Sequence, residues 1–96
     1  MTRKELLELH DAVCSKAKQL MEKKNHDYSS DADPLMNLRR HGEFGVLVRM
    51  NDKLARLENF LANKKLKVED ESVMDTILDL CNYSILFLAL HKEVKP

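Results

Sequence analysis

The residues best suited to chemistry lie in the most apolar part of the chain. At about 100° per residue, Glu71, Asp79 and Asn82 fall within about 40° of Asp75 on a helix. Three carboxylates and one amide therefore share a single face over three turns. Carboxylates are almost never buried without a partner, and crowded together they repel and resist ionisation. A divalent cation relieves both problems, and hard oxygen donors suit Mg²⁺ or Mn²⁺. The competing reading is an acidic first turn with Asp79 ion-paired to a basic residue of the preceding helix. On the sequence alone both stand.

A second polar stripe precedes it. Arg49, Asp52, Lys53, Arg56 and Asn63 fall within roughly 60° of Arg49 on their own helix. Arg and Lys at this spacing suit phosphate. A solvated face or ion pairs to the acids of the last helix would use the same residues. Between Asn25 and Asp33 the segment NHDYSSDAD lacks the Gly and closing Glu of a calcium loop. Its Tyr28, flanked by Asp and Ser, is free to stack on a base, with His26 nearby.

Four elements must position these groups. Thr2 and Glu5 form a Thr-x-x-Glu capping box, and Leu6, Leu9, Val13, Ala17 and Leu20 predict a helix to about Lys24. Asn25 to Asp33 reads as a loop. Asp33-Pro34 reads as an N-cap and first position of a short helix to His41, with Gly42 as its stop. Leu47, Met50, Leu54, Leu57 and Leu61 predict a third helix from Glu43 or Phe44 to Asn63. Ser72, with Asp75 three residues on, is a candidate cap for a fourth helix reaching about Lys92; Asp70 or Glu71 in its first turn is the alternative.

Between Ile77 and Leu90, 11 of 14 residues are apolar or aromatic and cover nearly all sides. Such a helix needs cover all round, more than three short partners provide. The expected fold is all-α: a single domain over 1–96, a bundle of three long helices and one short one, completed by homo-oligomerisation.

Composition agrees. Sixteen Lys+Arg balance 16 Asp+Glu, which excludes a general nucleic-acid binder of strongly basic character. Only two Gly and two Pro occur, and ten Val, Ile and Thr together starve a β-sheet. Cys14 and Cys81 fit no metal knuckle or CxxC pair and are expected as buried, reduced thiols. No signal peptide is expected at the N-terminus. The Ile77–Leu90 stretch, broken by Asp79, Asn82 and Ser84, reads as too short and polar for a membrane span. The expectation is a soluble protein of the cytoplasm without a membrane partner.

The KNHDY segment, Asn37, RMNDKLARL and DESVMDTILDLCNY together resemble the nucleotide modification-associated domain family of phages and prophages. That family resembles the all-α NTP pyrophosphatases of the MazG-like and dimeric dUTPase-like kind. The resemblance covers roughly residues 23 to 90. It implies nucleotide bound between helices of an oligomeric bundle, with Mg²⁺ bridging acids to phosphates, in the host cytoplasm for a phage-encoded chain. Asp75 and Asn82 keep the seven-residue separation of the MazG-like pattern; Ser72 stands where its paired acid would be, with Glu71 beside it. By this resemblance Glu71 and Asp75 are the catalytic acids, and Asp52, Glu71, Asp75 and Asp79 hold metal. Arg49, Lys53 and Arg56 take phosphates, Asn82 orients ligand or water, and His26 and Tyr28 meet base or sugar. The implied activity is Mg²⁺-dependent nucleoside triphosphate pyrophosphohydrolysis. The third helix carries no ExxE pair, only Asp52 beside Lys53 and Arg56. That composition also suits a non-catalytic binder that sequesters a nucleotide, such as a cyclic immune signal.

Overall fold

The computed structural model describes residues 1–28, 32–63 and 69–94, without the side chains of 25–28, 69–72 and 94. Among the described residues every regular element is helical: α1 (Arg3–Tyr28), a single 3₁₀ turn (Leu38–Arg40), α2 (Gly42–Asn63) and α3 (Glu69–Val94). The all-α expectation holds, with three long helices.

Thr2 caps α1. Its hydroxyl accepts from the Glu5 backbone N–H at 3.1 Å and donates to the Glu5 carboxylate at 3.1 Å. The helix does not stop near Lys24 but runs through NHDY to Tyr28. Asn, His and Asp are weak helix formers, yet each costs well under about 1 kcal/mol and none breaks the ladder as Gly or Pro would. The short helix expected over 34–41 is instead a run of turns ending in the 3₁₀ segment. The Leu35 carbonyl accepts from both Leu38 and Arg39 N–H at 3.1 Å, while the Leu35 side chain is buried against Val46 and Leu90. Asp33 does begin this segment: its carboxylate takes the Leu35 N–H and the Arg39 guanidinium. Ser72 is not a cap, because α3 begins three residues earlier at Glu69 and Glu69, Asp70 and Glu71 occupy its first turn.

Cross-helix contacts fix the directions. On α2 and α3, Glu43 meets His91 at 3.4 Å and Lys53 meets Asp79 at 2.9 Å, so the two helices are antiparallel. On α1 and α3, Ala17 meets Asn82 and Lys24 meets Asp79, again antiparallel. Helices α1 and α2 therefore run the same way. From the end of α1 to the start of α2 the chain returns along the bundle by about sixteen α3 positions, roughly 24 Å. Arg39 anchors that return through two hydrogen bonds to Glu93, at 2.9 and 2.7 Å.

The core is small: Leu35, Val46 and Leu90, flanked by Leu38, Met50, Tyr83, Leu86 and Phe87, with Ala17 and Leu78 buried as well. Helix α1 touches α3 along a narrow stripe only. Cys14, one residue off that stripe, is exposed rather than buried, and Leu6 and Leu9 are uncovered too. Cys81 is half-buried, and both thiols are free. The longer Val73–Glu93 stretch is long and apolar enough to cross a membrane by length and composition alone, a test that the core helix of a bundle also passes. The helix extends beyond the Ile77–Leu90 window on both sides, which restores the length that window lacked.

Two glycines shape the entry to α2. Gly42 has φ +64°, a left-handed conformation that lets the 3₁₀ turn change direction into the helix it opens. A Cβ on Gly45 would run into the His41 Cβ. Gly45→Ala is therefore expected to lower stability by about 1–3 kcal/mol through overpacking. Gly42→Ala should cost about 1–2 kcal/mol from backbone conformation alone. Urea unfolding of the two variants checks both.

Candidate functional site

Helix α3 places Asp79 at the meeting point of all three helices. Its Oδ1 lies 3.2 Å from Lys24 Nζ of α1 and its Oδ2 lies 2.9 Å from Lys53 Nζ of α2. Asp79 and Lys53 are mostly covered, with 19% and 17% of their side chains exposed, whereas Lys24 is 52% exposed. Burial pushes the Asp79 carboxyl up, but the hydrogen bonds and charges of Lys53 and Lys24 outweigh it and hold the pKa below its ordinary value. One turn on, Asn82 is buried. Its Nδ2 donates to the Ala17 carbonyl at 2.9 Å, while its Oδ1 is buried with no hydrogen-bond partner among the described residues.

The stripes are thus only partly assembled. Lys53 and Asp79 are brought together, with Lys24 added from α1, as the interhelical pairing alternative had it. Asp75 is exposed one turn away on the same side of α3, and Asp52 is exposed on α2. The side chains of His26, Tyr28 and Glu71 lie outside the described residues. Their backbones are helical at the C-terminal end of α1 and the first turn of α3. Among the described residues no group of three His, Cys, Asp or Glu is placed to hold a metal. Both Asp79 oxygens already face ammonium groups, so a cation there would have to displace Lys24 or Lys53.

The cationic residues open onto something larger. A cleft of about 1010 Å³ runs between the C-terminal part of α1, the 34–42 return segment and α2. Lys24, Arg40, His41 and Arg49 line it, together with Asn37; Phe44, Val48, Tyr83 and Leu86 supply apolar wall. Among the described residues no carboxylate lines it. Arg40 and Arg49 make no ion pair among the described residues, in contrast to Arg39, which pairs with both Asp33 and Glu93. Arg56 turns away from Arg49 and lines a separate pocket of about 440 Å³ with Asn59, Asn63 and Thr76. Of the three basic residues of the sequence stripe, Arg49 alone lines this cleft. The sequence reading missed Lys24, Arg40 and Phe44; the Arg39-Arg40-His41 run was a signal for the second of these.

The chain matches no family model, no curated protein and no solved structure.

The carboxyls of Asp79, Asp33 and Glu93 are all held below their ordinary values, the last two chiefly by hydrogen bonds from Arg39. Stability from such groups is full above the ordinary carboxylate pKa and is lost as pH falls through the lowered folded value. The urea midpoint is therefore expected to drop between about pH 5 and pH 3. Asp79→Asn should cost about 1–3 kcal/mol at neutral pH and flatten that dependence. Unfolding curves across this pH range check both.

Proposed function

We propose that this protein binds a nucleotide in the cleft between α1, the return segment and α2. The observation that carries the reading is the cleft itself: two guanidiniums, Arg40 and Arg49, without an ion pair among the described residues, with Lys24 and His41, in a concavity whose described lining holds no carboxylate. Guanidinium groups match phosphate oxygens in bidentate geometry, and no described acid compensates the charge of these two. Phe44 and Tyr83 offer aromatic faces on which a base can lie. Lys53 stands behind the site, tied to Asp79, and supports it by holding α2 to α3. In this reading the chain sequesters its nucleotide and needs no metal. The resemblance to phage nucleotide modification-associated domains supports the same ligand class and a place in the host cytoplasm. The bundle is proposed to work as a homo-oligomer, because α3 is more apolar than its neighbours in this chain can cover.

A second reading is Mg²⁺- or Mn²⁺-dependent pyrophosphohydrolysis of a nucleoside triphosphate. It is favoured by Asp75 and Asp79 lying one turn apart on α3, and by the unpartnered Oδ1 of Asn82 beside them. Glu71, Asp75, Asp79 and Asp52 would be its metal ligands, and a bound ion would activate water and neutralise phosphate charge. The described geometry does not offer a ready cation site, since Asp79 is committed to two lysines.

Mass spectrometry of small molecules released from the purified protein, followed by calorimetry with each nucleotide found, tests the first reading. Binding is expected without divalent metal, and Arg40→Ala or Arg49→Ala should each weaken it about tenfold to a hundredfold. Incubation of nucleoside triphosphates with Mg²⁺ or Mn²⁺ separates the two. Intact recovery of the bound nucleotide is the binder's result. Pyrophosphate release, abolished by Asp75→Asn, is the enzyme's.

A further inference from the structure

Cys14 is exposed, and one turn before it on α1 stands a second side chain able to hold a metal. Its Sγ lies 3.6 Å from Nδ1 of His10, which is exposed as well. The i, i+4 spacing stacks the two on one side of the helix, about 40° apart. Among the described residues no ion pair engages His10, whereas His91 meets Glu43. A tetrahedral Zn²⁺ sits about 2.3 Å from a thiolate and about 2.0–2.1 Å from an imidazole nitrogen, which spaces two such donors about 3.5–3.6 Å apart. Sγ and Nδ1 already stand at that separation.

We propose that His10 and Cys14 form a two-donor surface site for Zn²⁺, with solvent filling the remaining positions. Thiolate and imidazole together select such an ion over Mg²⁺ or Ca²⁺, which take oxygen. On binding, the Cys14 thiol gives its proton to solvent as the sulfur–zinc bond forms, and no oxidant takes part. Asp11 stands about 60° from Cys14 around the helix and adds negative charge, but it is not a third donor, since no three such groups converge among the described residues. With two protein donors the site is open and its ion exchangeable, unlike a closed structural centre.

The place of the site sets its effect. Every residue from Met1 to Ala12 is exposed, and cover begins with the half-buried Val13 and the buried Ala17. The first three turns of α1 therefore rest on the Thr2 cap rather than on packing, and a helical stretch of that length is marginal by itself. A chelate from residue 10 to residue 14 clamps the turn at which cover begins. It stiffens the free end of α1 and shields the thiol. Cys14 lies about 15 Å along α1 from Lys24, and neither donor lines the cationic cleft, so the site is independent of any nucleotide.

Co²⁺ is the probe, because a thiolate bound to it gives a charge-transfer band in the near ultraviolet. With the thiols kept reduced by a phosphine, the full chain is expected to bind one Co²⁺ and show the band, and Zn²⁺ should remove it. Cys81→Ser should keep the band, while Cys14→Ser and His10→Ala should each lose it. The last two replace exposed side chains, and circular dichroism checks that they fold. Zn²⁺ in few-fold excess should also slow alkylation of Cys14 by iodoacetamide about tenfold or more, read by peptide mass spectrometry, because the free thiolate is the nucleophile. EDTA should reverse that protection, and His10→Ala should abolish it. A wild type without the band overturns the proposal. So does a band that survives Cys14→Ser or His10→Ala, or a protection of Cys14 that His10→Ala leaves unchanged.

Discussion

One carboxylate holds the three helices in register. Asp79 sits on an otherwise apolar stretch of α3 and receives an ammonium from each of the other helices, Lys24 from α1 and Lys53 from α2. Without those partners a half-covered carboxylate would raise its pKa and lose its charge; with them its pKa falls. The same pairing fixes the level at which both neighbours meet α3, and together with the Glu43–His91 and Ala17–Asn82 contacts it fixes their antiparallel direction. Apolar packing alone would do this poorly, because the buried core is only a handful of side chains and tolerates sliding by a turn. Asn82, donating to the Ala17 carbonyl, sets the α1 register a second time.

That arrangement dictates where the cations go. Helices α1 and α2 both run antiparallel to α3, so the chain must return along the bundle between them. Of the return segment, Leu35 is buried in the core and Leu38 packs half-buried against it. Arg39 and Arg40 are neighbours in sequence with opposite fates. Arg39 is spent on Asp33 and Glu93, which pins the segment to the far end of α3. Arg40 faces the cleft that this pinning creates. The concavity is therefore a consequence of the crossover, and its charge is a consequence of which arginine the crossover uses.

Much of the scaffold was legible because it rests on local rules. The Thr2–Glu5 cap, the 3–4 spacing of leucines on α2 and the poverty of β-branched residues each act within a few positions. The end of α1 was misread because NHDY is only weakly unfavourable to helix, and composition cannot say when neighbours tip so small a balance. The site was half legible. Periodicity placed Asp75, Asp79 and Asn82 on one face, and the pairing of Asp79 with a base of the preceding helix was one of two readings it left open. Periodicity could not show Lys24 arriving from a third helix, since no spacing along one helix encodes a contact 55 residues away. Arg49 and Arg56 shared a stripe in projection, but seven residues separate them by two turns along α2. That rise of about 10 Å puts them in different concavities.

Lys24 joins the scaffold to the proposed site, and the two roles compete for one ammonium. Its side chain is 52% exposed while that of Lys53 is 17% exposed, so the two lysines are not equivalent partners of Asp79. A phosphate entering the cleft offers Lys24 more charge than a carboxylate does, at a position open to solvent. Lys53, more deeply covered, stays on Asp79 and keeps α2 attached to α3. The carboxylate is then left with one partner rather than none, which avoids the large cost of an unpaired charge. Two lysines on one acid therefore make it possible for a structural residue to serve a ligand without releasing the bundle. A single Lys24–Asp79 pair would force binding and folding to draw on the same interaction.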